Sequence, residues 1–167
     1  QAEVDPARIL VWGTSFGGGH VVDLVAQLPD LQGAIIQVPM LDGLVTLRAV
    51  PLIRMLKILC YGIADLLKRG APLHMPTVAR EGEWGTMDRD RAWDALQLGL
   101  AAHPGAKYVN RVRARSTLTI GFYRPWTRLK DIQVPMLIVG ATRDTVAPFV
   151  EDKIRRVANP NLRMVQI

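Results

Sequence analysis

The chain has 167 residues, 49% of them hydrophobic, and a formal charge of +6. That is long enough for one domain with a buried core, and too mixed in composition for a disordered or repetitive chain. The longest apolar runs fall far short of a bilayer span, and the single cysteine, Cys60, excludes an intrachain disulfide.

Residues 1–7 read as an approach loop in which Asp5-Pro6 starts a turn. The run Ile9-Leu10-Val11-Trp12 has no polar alternation, which predicts a parallel strand covered on both faces. Gly13, Ser15 and Gly17 then fit G-x-S-x-G, the strand–turn–helix in which a serine is held in a strained backbone conformation with its hydroxyl clear of the sheet. Glycines two residues before and after the serine are expected because side chains there would collide with the folded backbone. Gly18 and Gly19 let the next helix, about Gly17 to Leu28, pack close to the strand, with its N-terminal amides aimed at the serine. Its apolar Val21, Val22, Leu24, Val25 and Leu28 fit a helix lying on a sheet, and a second strand follows from Ala34 to Val38, stopping at Pro39.

From Gly43 to Lys130 the strand–helix alternation breaks. A helix is expected from Leu52 to Arg69, closed by Gly70. A second, capped by Asp88, is expected over Arg91–Leu100, ending at His103-Pro104-Gly105. A third is expected from Lys107 to Gly121, with Lys107, Arg111 and Arg115 on one stripe. Cys60, among Leu56, Ile58, Leu59 and Ile63, is expected to be a buried inert thiol. This stretch holds 15 basic and 6 acidic residues, a balance of +9 against −3 elsewhere. Such an insert can attract anionic substrates or surfaces, the plainer alternative being a solvated helical face. Alternation returns with a strand at Val134–Gly140, a helix from about Pro148 to Val157, and a last strand starting at Leu162.

Val4-Asp5-Pro6-Ala7-Arg8-Ile9 leading into the elbow, with Gly17-Gly18-Gly19-His20 after it, resembles the alpha/beta-hydrolase superfamily, in particular its dienelactone-hydrolase-like and acyl-esterase-like branch. The resemblance is tight over residues 4–42 and 131–148. It implies an α/β fold, a partial alpha/beta-hydrolase domain of parallel strands and crossover helices. The core would be residues 1–42 and 131–167, and the helical insert 43–130 would be a lid. Ser15 becomes the nucleophile of a hydrolase that cleaves carboxylic esters through an acyl-enzyme. The alternatives are a thioesterase or amidase of the same mechanism, and a non-catalytic binding protein of that fold.

A serine needs a base and an orienting carboxylate. Asp144, four residues past an apolar strand, matches the family's acid position, and Asp42, just past the preceding strand, is the alternative acid. The Phe16 amide is one oxyanion donor; the resemblance places the second upstream of Gln1. Elbow triads run serine, acid, histidine along the chain, and no histidine follows Asp144. His20 is expected to be a packed helix residue and His103 a helix-end residue, with His74 also preceding the acid. The base is therefore expected in a loop just beyond Ile167, and the chain is expected to be a fragment, poorly soluble and inert alone, with its nucleophile strand an uncovered edge.

The three histidines and one cysteine give no metal-ligand spacing, and neither metal nor cofactor is expected. The expected partner is a small ester-like molecule. Nucleic acid is not expected, since the arginines are not interleaved with exposed aromatics. A lone cysteine is compatible with a reducing compartment, which makes the cytoplasm the default, while a chain opening at Gln1 leaves an upstream targeting peptide open. Oligomeric state is not legible.

Overall fold

A computed structural model describes residues 5–89 and 91–167; the approach-loop and resemblance assignments at residues 1–4 lie outside them. The elements, in chain order, are β1 (Leu10–Thr14), α1 (Ser15–Val25), β2 (Gly33–Gln37), α2 (Gly43–Arg48), α3 (Leu52–Leu67), β3 (His74–Met75), α4 (Ala92–Ala102), β4 (Val112–Arg113), β5 (Met136–Gly140), α5 (Glu151–Val157) and β6 (Leu162–Gln166). Short 3-10 segments occupy Pro6–Arg8, Ala114–Phe122 and Pro125–Asp131. The chain divides into two compact units, one running to Thr46 and resuming at Gly121, the other Leu47–Ile120.

The first unit is built on a four-stranded sheet in the order β1-β2-β5-β6, every neighbouring pair parallel. Thr14 is level with Gln37, and Gln37 with Val139, so the loops leaving β1, β2 and β5 emerge at one end of the sheet. One face is closed by α1 and α5: Val21, Val22, Val25 and Ile154 join Ala34, Ile36, Met136 and Ile138 in a single buried cluster. Pleating sends alternate residues to opposite faces, and the other face is far more open. Leu10 and Trp12 of β1 are 67% and 64% exposed, and Ile35 and Val165 are also exposed. Among the described residues β1 is a sheet edge, as expected for the nucleophile strand of this stretch, but only its Val11 and Gly13 side is packed, which corrects the expectation of a strand covered on both faces.

The second unit is held by two inward-facing acids. Asp65 is fully buried on α3 and accepts hydrogen bonds from the Leu73 amide (2.7 Å), the Arg115 amide (3.0 Å) and Arg115 Nε (2.9 Å). Burial alone would raise its pKa, yet the Arg115 side chain and these amides hold its carboxyl well below the usual range. Asp88 pairs with Arg54, whose Nη2 also donates to the carbonyls of Glu83 and Gly85 at 2.7 and 2.8 Å. Three expectations fall with these contacts. Asp88 is not a helix cap, since α4 begins at Ala92 with Arg91 before it in a left-handed conformation. The helix over 107–121 is absent: Val112–Arg113 pairs antiparallel with β3, and a 3-10 segment follows. Neutralising buried Asp65 requires Arg113 and Arg115 to turn toward it, which outweighs a helical repeat of basic residues. Cys60 is exposed rather than buried.

Candidate active site

Ser15 follows β1 directly and begins α1, and its φ of +51° lies in the left-handed region that costs a non-glycine residue about 1 kcal/mol or more. Thr14 before it is extended (φ −118°, ψ 147°), so the backbone reverses sharply at the serine. The turn is closed by absent side chains. A Cβ on Gly13 would lie 2.5 Å from the Gly17 carbonyl oxygen and 2.7 Å from Val21 Cγ2. One on Gly18 would meet Pro39 at 2.9 Å, and one on Gly19 would meet the Met40 oxygen and the Tyr123 hydroxyl at 2.6 Å. Gly17 differs from expectation: nothing lies within 4 Å of a Cβ there, because the helix turns its side outward. The first amides of α1, Phe16 among them, have no acceptor inside the helix and carry the positive end of its dipole beside Ser15.

The chain leaving β2 supports the turn. The Met40 amide donates to the Ser15 carbonyl (2.9 Å), and Val38, level with Ser15, has a φ of +40°. For a β-branched residue this is a real outlier. No sequence signal marked Val38.

Asp144 lies in the loop after β5, at the same sheet end as Ser15 and two strands across, a separation on the order of 10 Å between strand ends. Its Oδ1 accepts the amides of Val146 (2.9 Å) and Ala147 (2.8 Å), which fixes the carboxylate, while Oδ2 has no hydrogen-bond partner among the described residues. Asp42 is differently placed. It is buried, its Oδ1 takes the Leu44 and Val45 amides at the start of α2, and its Oδ2 is occupied by Lys153 with Arg124 at 3.7 Å. Burial pushes the Asp42 pKa up, but Lys153 and the two amides outweigh it and leave the carboxyl below its ordinary value. Lys153 and Arg124 also sit over the Trp126 ring at 5.0 and 5.6 Å.

His20 is exposed rather than enclosed, and its Nδ1 lies 3.1 Å from the Tyr123 hydroxyl. Both rings contact Phe16, at centroid distances of 4.4 and 4.8 Å, so an aromatic triplet stands at the residue following Ser15. Burial, then the charge of Asp23, pushes the Tyr123 hydroxyl far above the ordinary phenol range and keeps it protonated. His74 lies in β3 and His103 ends α4, both in the second unit. Among the described residues no cluster of three or more metal-ligating side chains occurs.

Asp42 and Asp65 share a pH signature. Both titrate below their reference of 3.8 when folded, so the stability they contribute is complete above that value and drains as pH falls through their folded pKa values. Thermal midpoints are expected to hold steady from neutrality to about pH 5 and to drop below about pH 4. Scans of Asp42→Asn and Asp65→Asn should show lower midpoints at neutral pH and a shallower acid limb. An unchanged acid limb in both would contradict this assignment.

Compared with known proteins, no family model matches the chain. It is 37% identical over 150 residues, 87% of its length, to the quorum-quenching protein AidA of Acinetobacter baumannii, and spans 48% of that relative. Among solved structures, the alpha/beta hydrolase GrgF from Penicillium sp. sh18 superposes with a TM-score of 0.69 at 19% identity, over 98% of this chain and 56% of that one. A monoacylglycerol lipase of Paleococcus ferrophilus gives 0.60 at 16% identity, over 96% and 58%. The chain thus spans about half the length of the proteins it matches. No helix among the described residues is long and apolar enough to cross a membrane. With its parallel sheet, its serine at a left-handed strand–helix turn and these likenesses, the chain has the alpha/beta-hydrolase fold.

Proposed function

We propose that Ser15 is the nucleophile of a serine hydrolase that cleaves small carboxylic esters through an acyl-enzyme, with Asp144 as the acid. The observation that carries this is the left-handed Ser15, whose strain is stored at the one point where β1, α1 and the chain leaving β2 meet. Ser15 Oγ attacks the ester carbonyl carbon as its proton passes to a base. The carbonyl oxygen takes up negative charge and is held by the Phe16 amide at the positive end of α1. The base returns the proton to the departing alcohol, and water then releases the acid from Ser15 by the reverse steps. Asp144 suits the orienting role because one oxygen is locked by amides and the other has no hydrogen-bond partner among the described residues. Asp42 suits it poorly, since Lys153, Arg124 and two amides occupy its oxygens.

The base is proposed to come from the segment following β6. β6 is parallel to β5, and its end is tied to the Asp144 loop by the Thr142 amide donating to the Ile167 carbonyl (3.1 Å), so that segment would start beside the acid. The relative named for quorum quenching makes a diffusible, ester-bearing signal molecule the first substrate class to try.

Turnover of a p-nitrophenyl acyl ester by the full-length protein tests the assignment. A pre-steady-state burst of p-nitrophenol is expected. Asp144→Asn should lower kcat by about 10³-fold or more, and Asp42→Asn, once shown to be folded, by no more than a few-fold. Equal losses in both variants, or a loss confined to Asp42→Asn, would reverse the choice of acid.

A further inference from the structure

Helix α3 is amphipathic in the opposite sense to an ordinary surface helix. Its inward side carries Arg54, Tyr61, Gly62 and Asp65: Gly62 packs on Leu118, and the two charged residues make the ion pairs that hold the second unit. Its outward side carries Leu52, Leu56, Leu59, Ile63, Leu66 and Leu67, each between 41% and 76% exposed. At 100° per residue these six fall within an arc of about 100°, a continuous apolar stripe along all 16 residues. Six such side chains make a patch of several hundred Å², beyond what scattered surface leucines account for.

The charge around the stripe decides what fits it. From Gly43 to Arg80 the only acidic residue is Asp65, which is buried and paired. The exposed charges that flank α3 along the chain are positive, with Arg48 ahead of it, Lys57 on its flank and Lys68 and Arg69 at its end, while the exposed Glu83 lies on the opposite side, at Arg54. A second copy meeting the stripe across a two-fold axis would set this basic rim against itself. An uncharged apolar partner would leave the rim unmatched. An anionic bilayer matches both parts, taking the leucines below its headgroups and the lysines and arginines among its phosphates. At 16 residues α3 is about 24 Å long, too short to cross a membrane and suited to lying in its surface.

We propose that α3 is an interfacial helix that docks the protein on anionic lipid. The lipid is a support rather than a substrate, so the inference stands apart from the hydrolase assignment. The test is co-sedimentation of the full-length protein with phosphatidylcholine vesicles with and without phosphatidylglycerol. Binding to the anionic vesicles is expected to exceed binding to pure phosphatidylcholine by about tenfold or more and to weaken with salt. Leu56→Glu with Ile63→Glu should cut it by a further factor of about ten or more. Both positions are exposed, and unchanged far-ultraviolet dichroism would verify the fold. Lys57→Glu should reduce the preference for phosphatidylglycerol while leaving the weaker binding to phosphatidylcholine in place. Absence of binding to anionic vesicles at low salt would overturn the proposal, as would binding that the double substitution leaves intact. A dimer dissolved by the double substitution, with no vesicle binding, would instead make the stripe a self-association face and equally overturn it.

Discussion

Replacing Ser15 by glycine is expected to raise stability while abolishing catalysis. Ser15 holds a φ of +51°, a region glycine enters freely and other residues enter at a cost. Ser15→Gly should therefore stabilise the fold by about 1 kcal/mol, read as a higher denaturation midpoint at unchanged slope. Ser15→Ala keeps the strain and should leave stability within about 0.5 kcal/mol of the parent. Both should lose ester turnover by about 10⁴-fold or more, since the reacting oxygen is gone. This combination separates a strained functional position from a structural one, where glycine would cost contacts. If Ser15→Gly were destabilising, the left-handed turn would not be a store of strain. If it retained turnover, the nucleophile would lie elsewhere.

Gly13→Ala and Gly17→Ala should behave as opposites although both glycines belong to the motif. The new methyl at 13 would sit 2.5 Å from the Gly17 carbonyl oxygen and 2.7 Å from Val21 Cγ2, and the first of these is backbone that cannot swing aside. Relief requires α1 to move off β1, pulling Val21 and Val22 out of the core cluster, at an expected cost of about 3 kcal/mol. At 17 the methyl meets nothing within 4 Å, and alanine is the better helix former, so a gain of up to about 1 kcal/mol is expected. Urea unfolding of the two variants beside the parent measures both. A loss at Gly17→Ala comparable to that at Gly13→Ala would contradict the path of the first turn of α1.

What could be read in advance, and what could not, divides by distance along the chain. The strands β1, β2 and β5 announce themselves as short apolar runs bounded by Gly and Pro, β6 follows the turn at Asn159-Pro160-Asn161, and Ser15 and Asp144 stand at fixed offsets from β1 and β5. These signals are local, so they survive without a structure. For Asp42, the alternative acid, the partner that fills its Oδ2 is silent in the sequence: Lys153 is 111 residues away and no local pattern couples them. The tie between His20 and Tyr123 spans 103 residues and is silent for the same reason. In the basic insert a helical period of lysine and arginine was overridden by one buried carboxylate, Asp65, whose demand for Arg113 and Arg115 is tertiary. The apolar period of α3 identified the helix but not its direction. Periodicity marks a stripe without saying whether it faces the protein or the outside, and Cys60 was misplaced with it.

The measurement that most directly tests the central assignment is covalent labelling with a fluorophosphonate followed by peptide mapping, made on the full-length protein. The serines of this chain are Ser15 and Ser116, so the two possible adducts within it lie on clearly different peptides. A nucleophile at the elbow predicts one adduct, on the peptide containing Ser15, formed only by the folded protein and absent from Ser15→Ala. An adduct that persists in Ser15→Ala, or a folded protein that takes no label at Ser15, would contradict the account.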